Sequence, residues 1–371
     1  MAVVRKSVPT RKLEIGKKVD NPIFDQSGKK LLERGAVLDD FEIKELISRG
    51  ITQVYIMEGE PDEIPEGLEN VHPSVRKAVE EQRVQDKKKV EISEKVKERV
   101  SAGIEYLFTN TNDEHLAESS ENVSGELVDT VLNSDAVAMD IDMLKVSDEY
   151  TFKHSVDVAV MSLVIGKSMG LPPNEMKELG MAGLLHDLGK SRIPNEVLNK
   201  PGRLTDEEFA LMKQHTLKGL QIMKERGGFP LGVELGVLQH HEKMNGRGYP
   251  QGLTKEKIHK YARIISVADV YDALVTERPY KKGFSKSTAF EMLIAMGDDL
   301  DLEVMAHFKN TLIIYPVDKH IILSNGEPAR VVKNNPGYPL RPVLVGLKTG
   351  RVYDLTNDAS LLIPEKDINE E

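Results

Sequence analysis

The chain has 371 residues, of which 40% are hydrophobic and 30% charged, and its formal net charge at pH 7 is −10. This composition is typical of a globular protein, and the length is enough for two or three domains. The negative charge argues against a broad contact with a nucleic-acid polymer, which needs a basic surface, although a few local cations could bind a small anionic ligand. The chain has no cysteine, so any metal must be bound by nitrogen and oxygen atoms.

The sequence gives no sign of a membrane or export signal. Residues 1–12 are basic, but no apolar stretch follows them, so a signal peptide is not expected. No stretch approaches the roughly 18 apolar residues of a membrane-spanning helix. A cytoplasmic location without membrane insertion is therefore predicted.

Residues 1–58 alternate short apolar runs with turn signals and predict a small α+β module. Within it, Val54–Ile56 is predicted to be a strand and Phe41–Ile47 a helix that ends before Gly50. Nothing in this module carries chemistry, so regulation and packing are its candidate roles. Residues 59–73 contain three prolines and many acidic residues, which predicts a linker.

The strongly charged segment 74–108 has one apolar face. Its apolar residues recur every four positions, at Ile92, Val96, Val100, Ile104 and Phe108. This spacing is typical of one face of a helix. The face could cover the core of its own domain, or it could form a homodimer or contact a signalling protein.

From about residue 120 to residue 310 the apolar pattern is helical, and Thr205 followed by Glu208 predicts a capping box at the start of one helix. After residue 312 short β-like runs alternate with turns such as Asn325-Gly326. The predicted fold is therefore mainly α. A multi-helix domain covers residues 74–312, with its catalytic motifs in 150–285, and a small β module covers 313–371.

The helical region holds a set of histidines and aspartates that suits a metal site: His154, His186, Asp187, His215, His240, His241 and Asp269. A lone histidine on an apolar helix face is usually a core residue, but a buried aspartate is costly unless it is paired or binds a metal. Imidazole and carboxylate suit first-row transition metals. Seven potential ligands are too many for one centre and about right for two, which Asp187 could bridge.

The spaced H…HD…D pattern resembles that of the HD phosphohydrolases. The segment His240–Leu253 is similar to the motif that gives the HD-GYP subfamily its name, and Ala268–Leu274 and Arg278–Lys281 follow as they do in that family. The resemblance covers about residues 140–310. It implies an HD-domain helical bundle and a metal-dependent phosphodiesterase that hydrolyses cyclic di-GMP, or cyclic GMP-AMP, to a linear dinucleotide or onward to the mononucleotide.

The resemblance also implies two divalent ions, iron or manganese. One would be held by His154, His186, Asp187 and Asp269, and the other by Asp187, His215, His240 and His241. Asp187 and Lys190 would be catalytic, with Lys190 on the scissile phosphate, and the substrate would also meet Tyr249, Arg278 and Lys281. Some members hold a third metal through a glutamate four residues before the first ligand histidine. Tyr150 stands there in this chain and Glu149 is one position off, so a two-metal centre is predicted.

Several alternatives stay open at this point. The domain could sense a cyclic dinucleotide without cleaving it, although all seven matched ligands are present. It could be another HD hydrolase acting on dNTPs or the guanosine alarmone, although Gly248-Tyr249-Pro250 argues against that. The flanking modules could instead make the chain an interaction protein. Glu242 could orient a ligand histidine or be a solvated surface residue.

Overall fold

The computed structural model describes residues 4–25, 30–33, 35–58, 68, 71–140, 150–277, 283–358 and 360–364. The chain divides into two compact units, Met1–His72 and Pro73–Glu371, and each has a hydrophobic core of its own. Across the described parts of the chain, no helix is both long enough and apolar enough to cross a membrane.

Some of the sequence predictions fall outside the described residues. They are the substrate residues Arg278 and Lys281, the residue Glu149, and most of the predicted linker 59–73. Tyr150 is described as the first residue of a helix, but its side chain is not described. The predictions for these residues therefore stay predictions.

The N-terminal unit is a small α+β fold. Its strands are β1 (Val4–Pro9), β2 (Lys18–Val19), β3 (Ile23–Phe24), β4 (Lys30–Leu32) and β5 (Gln53–Glu58), and its helix is α1 (Asp40–Ser48). An antiparallel sheet has the order β1-β5-β2, and β3 pairs with β4. The helix begins at a capping box between Asp39 and Glu42, which satisfies backbone N–H groups that the first turn leaves free.

The second unit is dominated by helices. They are α2 (Pro73–Gln82), α3 (Glu94–Thr109), α4 (Leu116–Asn133), α5 (Tyr150–Ser168), α6 (Pro173–Leu185), α7 (Asn195–Leu198), α8 (Asp206–Met212), α9 (His215–Arg226), α10 (Leu231–Gln239), α11 (Lys260–Val275), α12 (Lys286–Ala295) and α13 (Leu302–Thr311). Helices α5, α6, α10 and α11 pack on one another at the centre of the unit. Most of the buried side chains of these four helices are apolar and belong to the main core cluster.

Residues 74–108 do not form one helix. Helix α2 ends at Gln82, an extended segment follows, and α3 begins at Glu94 after the N-cap Ser93. Val100 and Ile104 of the predicted apolar face are buried in the core of their own unit. The first sequence alternative, a segment that covers its own core, is thus supported, while a homodimer through this segment stays a prediction.

Four antiparallel strands follow the helices, in the order β6 (His320–Ile322), β7 (Pro328–Lys333), β8 (Val343–Gly346) and β9 (Val352–Asp354). Their buried side chains, such as Val331 and Leu344, belong to the same core cluster as the helices. The predicted fold class is confirmed, with a mainly helical bundle between a small N-terminal α+β fold and C-terminal strands. The exact domain boundaries stay predictions.

Candidate metal centre

The seven histidines and aspartates singled out in the sequence come together in the core of the helical unit. They are supplied by α5 (His154), the residues directly after α6 (His186 and Asp187), the start of α9 (His215), the end of α10 (His240 and His241) and α11 (Asp269). Three overlapping groups among them have ligand atoms that all lie within 4.8 Å of one another. Whether each residue binds a metal is a proposal that is argued below from these atoms.

Close backbone packing brings the histidine-bearing segments together. After Asp187 the chain turns through a short 3-10 helix, Leu188–Arg192, which packs on α9. A Cβ atom on Gly189 would lie 1.9 Å from the carbonyl oxygen of His215, so any larger residue would push the two segments apart. Glycine at this position therefore holds Asp187 beside His215.

Three of the histidines have the same orientation. The Nδ1 atoms of His186, His215 and His240 each lie 2.8 Å from the carbonyl oxygen three residues earlier. A carbonyl only accepts hydrogen bonds, so each Nδ1 carries a proton, and in the neutral form of the ring Nε2 keeps a free lone pair. Burial lowers the pKa of His215 and His240, and lowers that of His241 to about 3, so these imidazoles are neutral at physiological pH.

The free Nε2 atoms face one another across the centre, and this arrangement calls for a cation. The Nε2 atoms of His215 and His240 are 3.3 Å apart, yet both are acceptors in these tautomers. Among the described residues, His186 Nε2 and Asp187 Oδ1 are buried without a hydrogen-bond partner. Buried polar atoms usually have partners, and divalent ions bound among these atoms would supply them, so the residues present fit a metal site.

Asp187 lies between two sets of histidines, with His154 and His186 on one side and His215 on the other. Its Oδ2 is 3.4 Å from His186 Nε2 and 3.8 Å from His154 Nε2, while its Oδ1 is 3.5 Å from His215 Nε2. Burial would raise the pKa of this carboxyl, but Lys190, which donates to Oδ2, and the nearby histidines hold the pKa well below its usual value. The ionised carboxylate therefore offers Oδ2 to His154 and His186, and Oδ1 to His215.

Asp269 also faces both groups. Its Oδ1 is 3.1 Å from His154 Nε2, and its Oδ2 is 3.8 Å from His241 Nδ1. Burial alone would raise its pKa, but the hydrogen bond from His154 and the neighbouring histidines lower it. Asp269 is therefore a second ionised carboxylate, and it lies between the imidazoles of His154 and His241.

Asp272 is a site residue to which the sequence analysis gave no role. Its Oδ2 lies 2.6 Å from His154 Nδ1, and its side chain is buried. Burial lowers the pKa of His154, but the hydrogen bonds to Asp269 and Asp272 outweigh it and raise the pKa to about 10. The carboxylates thus stabilise positive charge at this position. The signal in the sequence is that Asp272 follows Asp269 by three residues on one buried helix face.

The segment after His241 folds back over the centre as a loop. Glu242 is buried, and its carboxylate accepts hydrogen bonds from the backbone N–H groups of Gln251 (2.6 Å) and Leu253 (2.9 Å). The solvated alternative for Glu242 is therefore wrong. Within the described part of the chain, its carboxylate bonds to the loop backbone and not to a ligand histidine. A Cβ on Gly248 would lie 2.3 Å from the backbone nitrogen of Lys243, which shows how tightly the loop closes.

The loop places Tyr249 against the centre. Its backbone N–H donates to the carbonyl of His241 (3.1 Å), and its ring stacks on the His241 ring with centroids 4.7 Å apart and an interplanar angle of 29°. Burial raises the pKa of the Tyr249 hydroxyl, so the hydroxyl stays protonated at physiological pH. Tyr249 therefore lies at the edge of the centre, where the sequence analysis predicted a substrate contact.

Comparison with known proteins adds to this geometry. Residues 138–304 match the family model described as an HD domain. The chain contains an HD domain. The matched residues include α5 to α12, and all seven residues of the centre lie among them, so the predicted resemblance to the HD superfamily is confirmed.

Curated relatives are similar to part of this chain. A cyclic di-GMP phosphodiesterase of Pseudomonas aeruginosa is 38% identical over 57% of this chain and 51% of its own length. One of Thermotoga maritima is 38% identical over 43% of this chain and 45% of its own. A 3′3′-cGAMP-specific phosphodiesterase of Vibrio cholerae is 34% identical over 39% of this chain and 33% of its own. The chain thus spans about half the length, or less, of these relatives.

A solved structure is also similar to this chain. It is Bd1817 from Bdellovibrio bacteriovorus, described as an HDG"Y"P protein, which aligns with 82% of this chain and 98% of its own at 19% identity and a TM-score of 0.46.

Proposed function

We propose that this chain is a metal-dependent phosphodiesterase that hydrolyses a cyclic dinucleotide. The observation that carries the proposal is the set of imidazole and carboxylate ligand atoms that lie within 4.8 Å of one another in overlapping groups, two of which, His186 Nε2 and Asp187 Oδ1, are buried without a hydrogen-bond partner. Relatives of part of this chain are named as phosphodiesterases for cyclic di-GMP and for 3′3′-cGAMP. Cyclic di-GMP is the substrate we expect, with cyclic GMP-AMP as the close alternative.

Two divalent ions would be shared by two overlapping ligand sets. The first is His154, His186, Asp187 and Asp269, and the second is Asp187, His215, His240 and His241. Iron and manganese both suit these nitrogen and oxygen ligands. Such ions, when bound, polarise a phosphoryl oxygen and acidify water so that a nucleophile forms at neutral pH.

The protein's own side chains would prepare this centre for an anionic substrate. The carbonyl hydrogen bonds on Nδ1 fix the imidazole rings of His186, His215 and His240 before any ligand arrives, so little ordering of these three is needed on binding. Lys190 is held at Asp187, and 29% of its side chain is exposed to solvent. Its ammonium can therefore bind a non-bridging oxygen of the scissile phosphate and offset charge that develops there.

Further contacts would hold the rest of the substrate. Tyr249 lies at the edge of the centre, and Arg278 and Lys281 are proposed to bind phosphate, as arginine and lysine commonly do. These local cations matter because the whole chain carries a net charge of −10. We expect a linear dinucleotide as the first product, and a cytoplasmic setting in which the N-terminal unit contacts signalling proteins.

The proposal is tested by replacing the carboxylate that faces both ligand groups. Asp187→Ala should lower the metal content from about two ions per chain and abolish hydrolysis of cyclic di-GMP, because each ion loses a ligand. Elemental analysis and chromatographic product analysis on the same samples measure both. Asp129→Ala, at an exposed position of α4, is the matched control.

Three results would contradict parts of this proposal. Wild-type protein that takes up no iron or manganese would contradict the metal centre. Wild-type protein that binds metal and dinucleotide but forms no product would favour a sensor over an enzyme. Asp187→Ala protein that keeps two ions and full turnover would show that Asp187 does not bridge the two groups.

A further inference from the structure

An exposed aromatic side chain continues the ring stack that begins at the metal centre. Phe209, on α8, is 48% exposed although it is large and apolar. Its ring meets that of Tyr249 edge to face, with centroids 6.5 Å apart at 80°, and Tyr249 in turn stacks on His241. Within the described residues, Phe209 is not part of the hydrophobic core cluster. Burial therefore does not account for it.

A cation lies on the same surface. Lys213 follows Phe209 by four residues, so both side chains lie on one face of the chain. Its Nζ is 5.2 Å from the Phe209 ring centroid and 6.0 Å from that of Tyr249. Lys213 is half-buried and, as far as the structure describes the chain, makes no ion pair. An ammonium with no acidic partner beside two aromatic rings is suited to an anionic ligand that also has a flat ring.

Local structure fixes this surface in place. The predicted capping box is present: Thr205 accepts from the Glu208 N–H, and Glu208 accepts from the Thr205 N–H. Lys200 also pairs with Glu208. Helix α8 is therefore anchored at its start, so that Phe209 is held at the rim before a ligand binds.

We propose that Phe209 and Lys213 form a second part of the substrate site, in which Phe209 stacks on a purine base and Lys213 binds the phosphate that is not being cleaved. This inference rests on the proposed function and specifies how the dinucleotide is recognised. A cyclic dinucleotide has two phosphates and two bases. Asp187, Lys190 and the histidines account for one phosphate, Lys213 would share the other with Arg278 and Lys281, and no residue named so far accounts for a base. Aromatic side chains stack on any base, because every base has a π-face.

The position of Phe209 fits this role. Two ring spacings, 4.7 and 6.5 Å, separate Phe209 from His241. A ribose separates each base from its phosphate. When the scissile phosphate lies at the centre, a base of the substrate therefore lies some distance away from it, as Phe209 does. Phe209 and Lys213 therefore act on the affinity for purine-containing substrates and not on phosphodiester cleavage as such.

The test compares two substrates on the full-length, metal-loaded protein. One is cyclic di-GMP, and the other is methyl 4-nitrophenyl phosphate, a phosphodiester without a purine. Phe209→Leu keeps an apolar side chain and removes the aromatic face, so the ratio of kcat/KM for the dinucleotide to that for the simple diester should fall about tenfold or more, mainly through KM. Phe41→Leu, at an exposed phenylalanine of the N-terminal unit, is the matched control.

A charge series tests Lys213 separately. Lys213→Met should raise KM for cyclic di-GMP and weaken its dependence on salt, whereas Lys213→Arg should restore both, because the charge is kept. Lys218→Met on α9 is the matched control, since Lys218 is also half-buried. If KM and its salt dependence were unchanged in Lys213→Met, this would contradict the phosphate contact.

The outcomes separate this inference from the proposed function. An unchanged substrate ratio in Phe209→Leu, with wild-type protein that cleaves cyclic di-GMP, would overturn the stacking contact alone. An equal loss on both substrates would also overturn it, since Phe209 would then act by holding Tyr249. Wild-type protein that cleaves the simple diester but no cyclic dinucleotide would overturn the proposed substrate, and this inference with it.

Discussion

Three histidines of the centre share one local geometry, in which Nδ1 donates to the carbonyl oxygen three residues earlier. His154 differs, because its Nδ1 bonds to the carboxylate of Asp272 instead. The seven residue types and positions could be predicted from the sequence, since the chain places polar residues inside apolar helices. The tautomers and the part played by Asp272 could not, because they depend on which backbone and side-chain atoms the packed helices bring within reach.

Asp272→Asn should weaken metal binding about 10- to 100-fold, a typical cost of replacing the partner of a ligand histidine. The amide still accepts a hydrogen bond from His154, but it lacks the negative charge that makes the imidazole a better ligand. Competition with a chelator measures the affinity, and Asp129→Asn on the exposed face of α4 is the control. An unchanged metal affinity would mean that Asp272 has only a packing role.

At the scale of single elements, the sequence predicted the core helices better than it predicted the extended stretch after α2 and the loop after His241. The apolar spacing of residues 74–108 continues through an extended stretch, in which the Val84 N–H bonds to the Val332 carbonyl and the Val90 N–H to the Ala138 carbonyl. Those partners lie far away in the chain, so local periodicity cannot reveal them. The loop after His241 is similar, because buried Glu242 orders it through the backbone of residues 251 and 253.

Glu242→Gln should lower the free energy of unfolding by about 1.5–3 kcal/mol, because one of the two N–H groups would face an amide NH₂ instead of a charged oxygen. We also expect a higher KM for cyclic di-GMP, since the loop carries Tyr249, while metal content stays near that of the wild type. Denaturant unfolding, kinetics and elemental analysis measure the three quantities. Glu256→Gln, at an exposed position of the same segment, should change none of them, and an equal effect in both variants would contradict the anchoring role.

At the scale of the whole molecule, the chain forms two units, and the C-terminal strands share the core of the helical one. Strands and helices can be predicted separately from local patterns, but the sequence does not show that β6–β9 and the helices bury their apolar side chains together. That information lies in long-range packing. We therefore expect β6–β9 to fold together with the helices of this unit, so that substitutions in the strands also destabilise the metal centre.

Leu344→Ala tests this coupling, because Leu344 lies on β8 and is fully buried in the shared core. Its loss should lower the free energy of unfolding by about 2–5 kcal/mol, as usual for a buried leucine. Since metal binds only the folded state, added iron or manganese should raise the midpoint of the same thermal transition. Val54→Ala, in the separate core of the N-terminal unit, should instead affect a transition that does not respond to metal. Differential scanning calorimetry with and without metal distinguishes the two. If Leu344→Ala lowered only a metal-insensitive transition, the strands would fold independently of the metal centre.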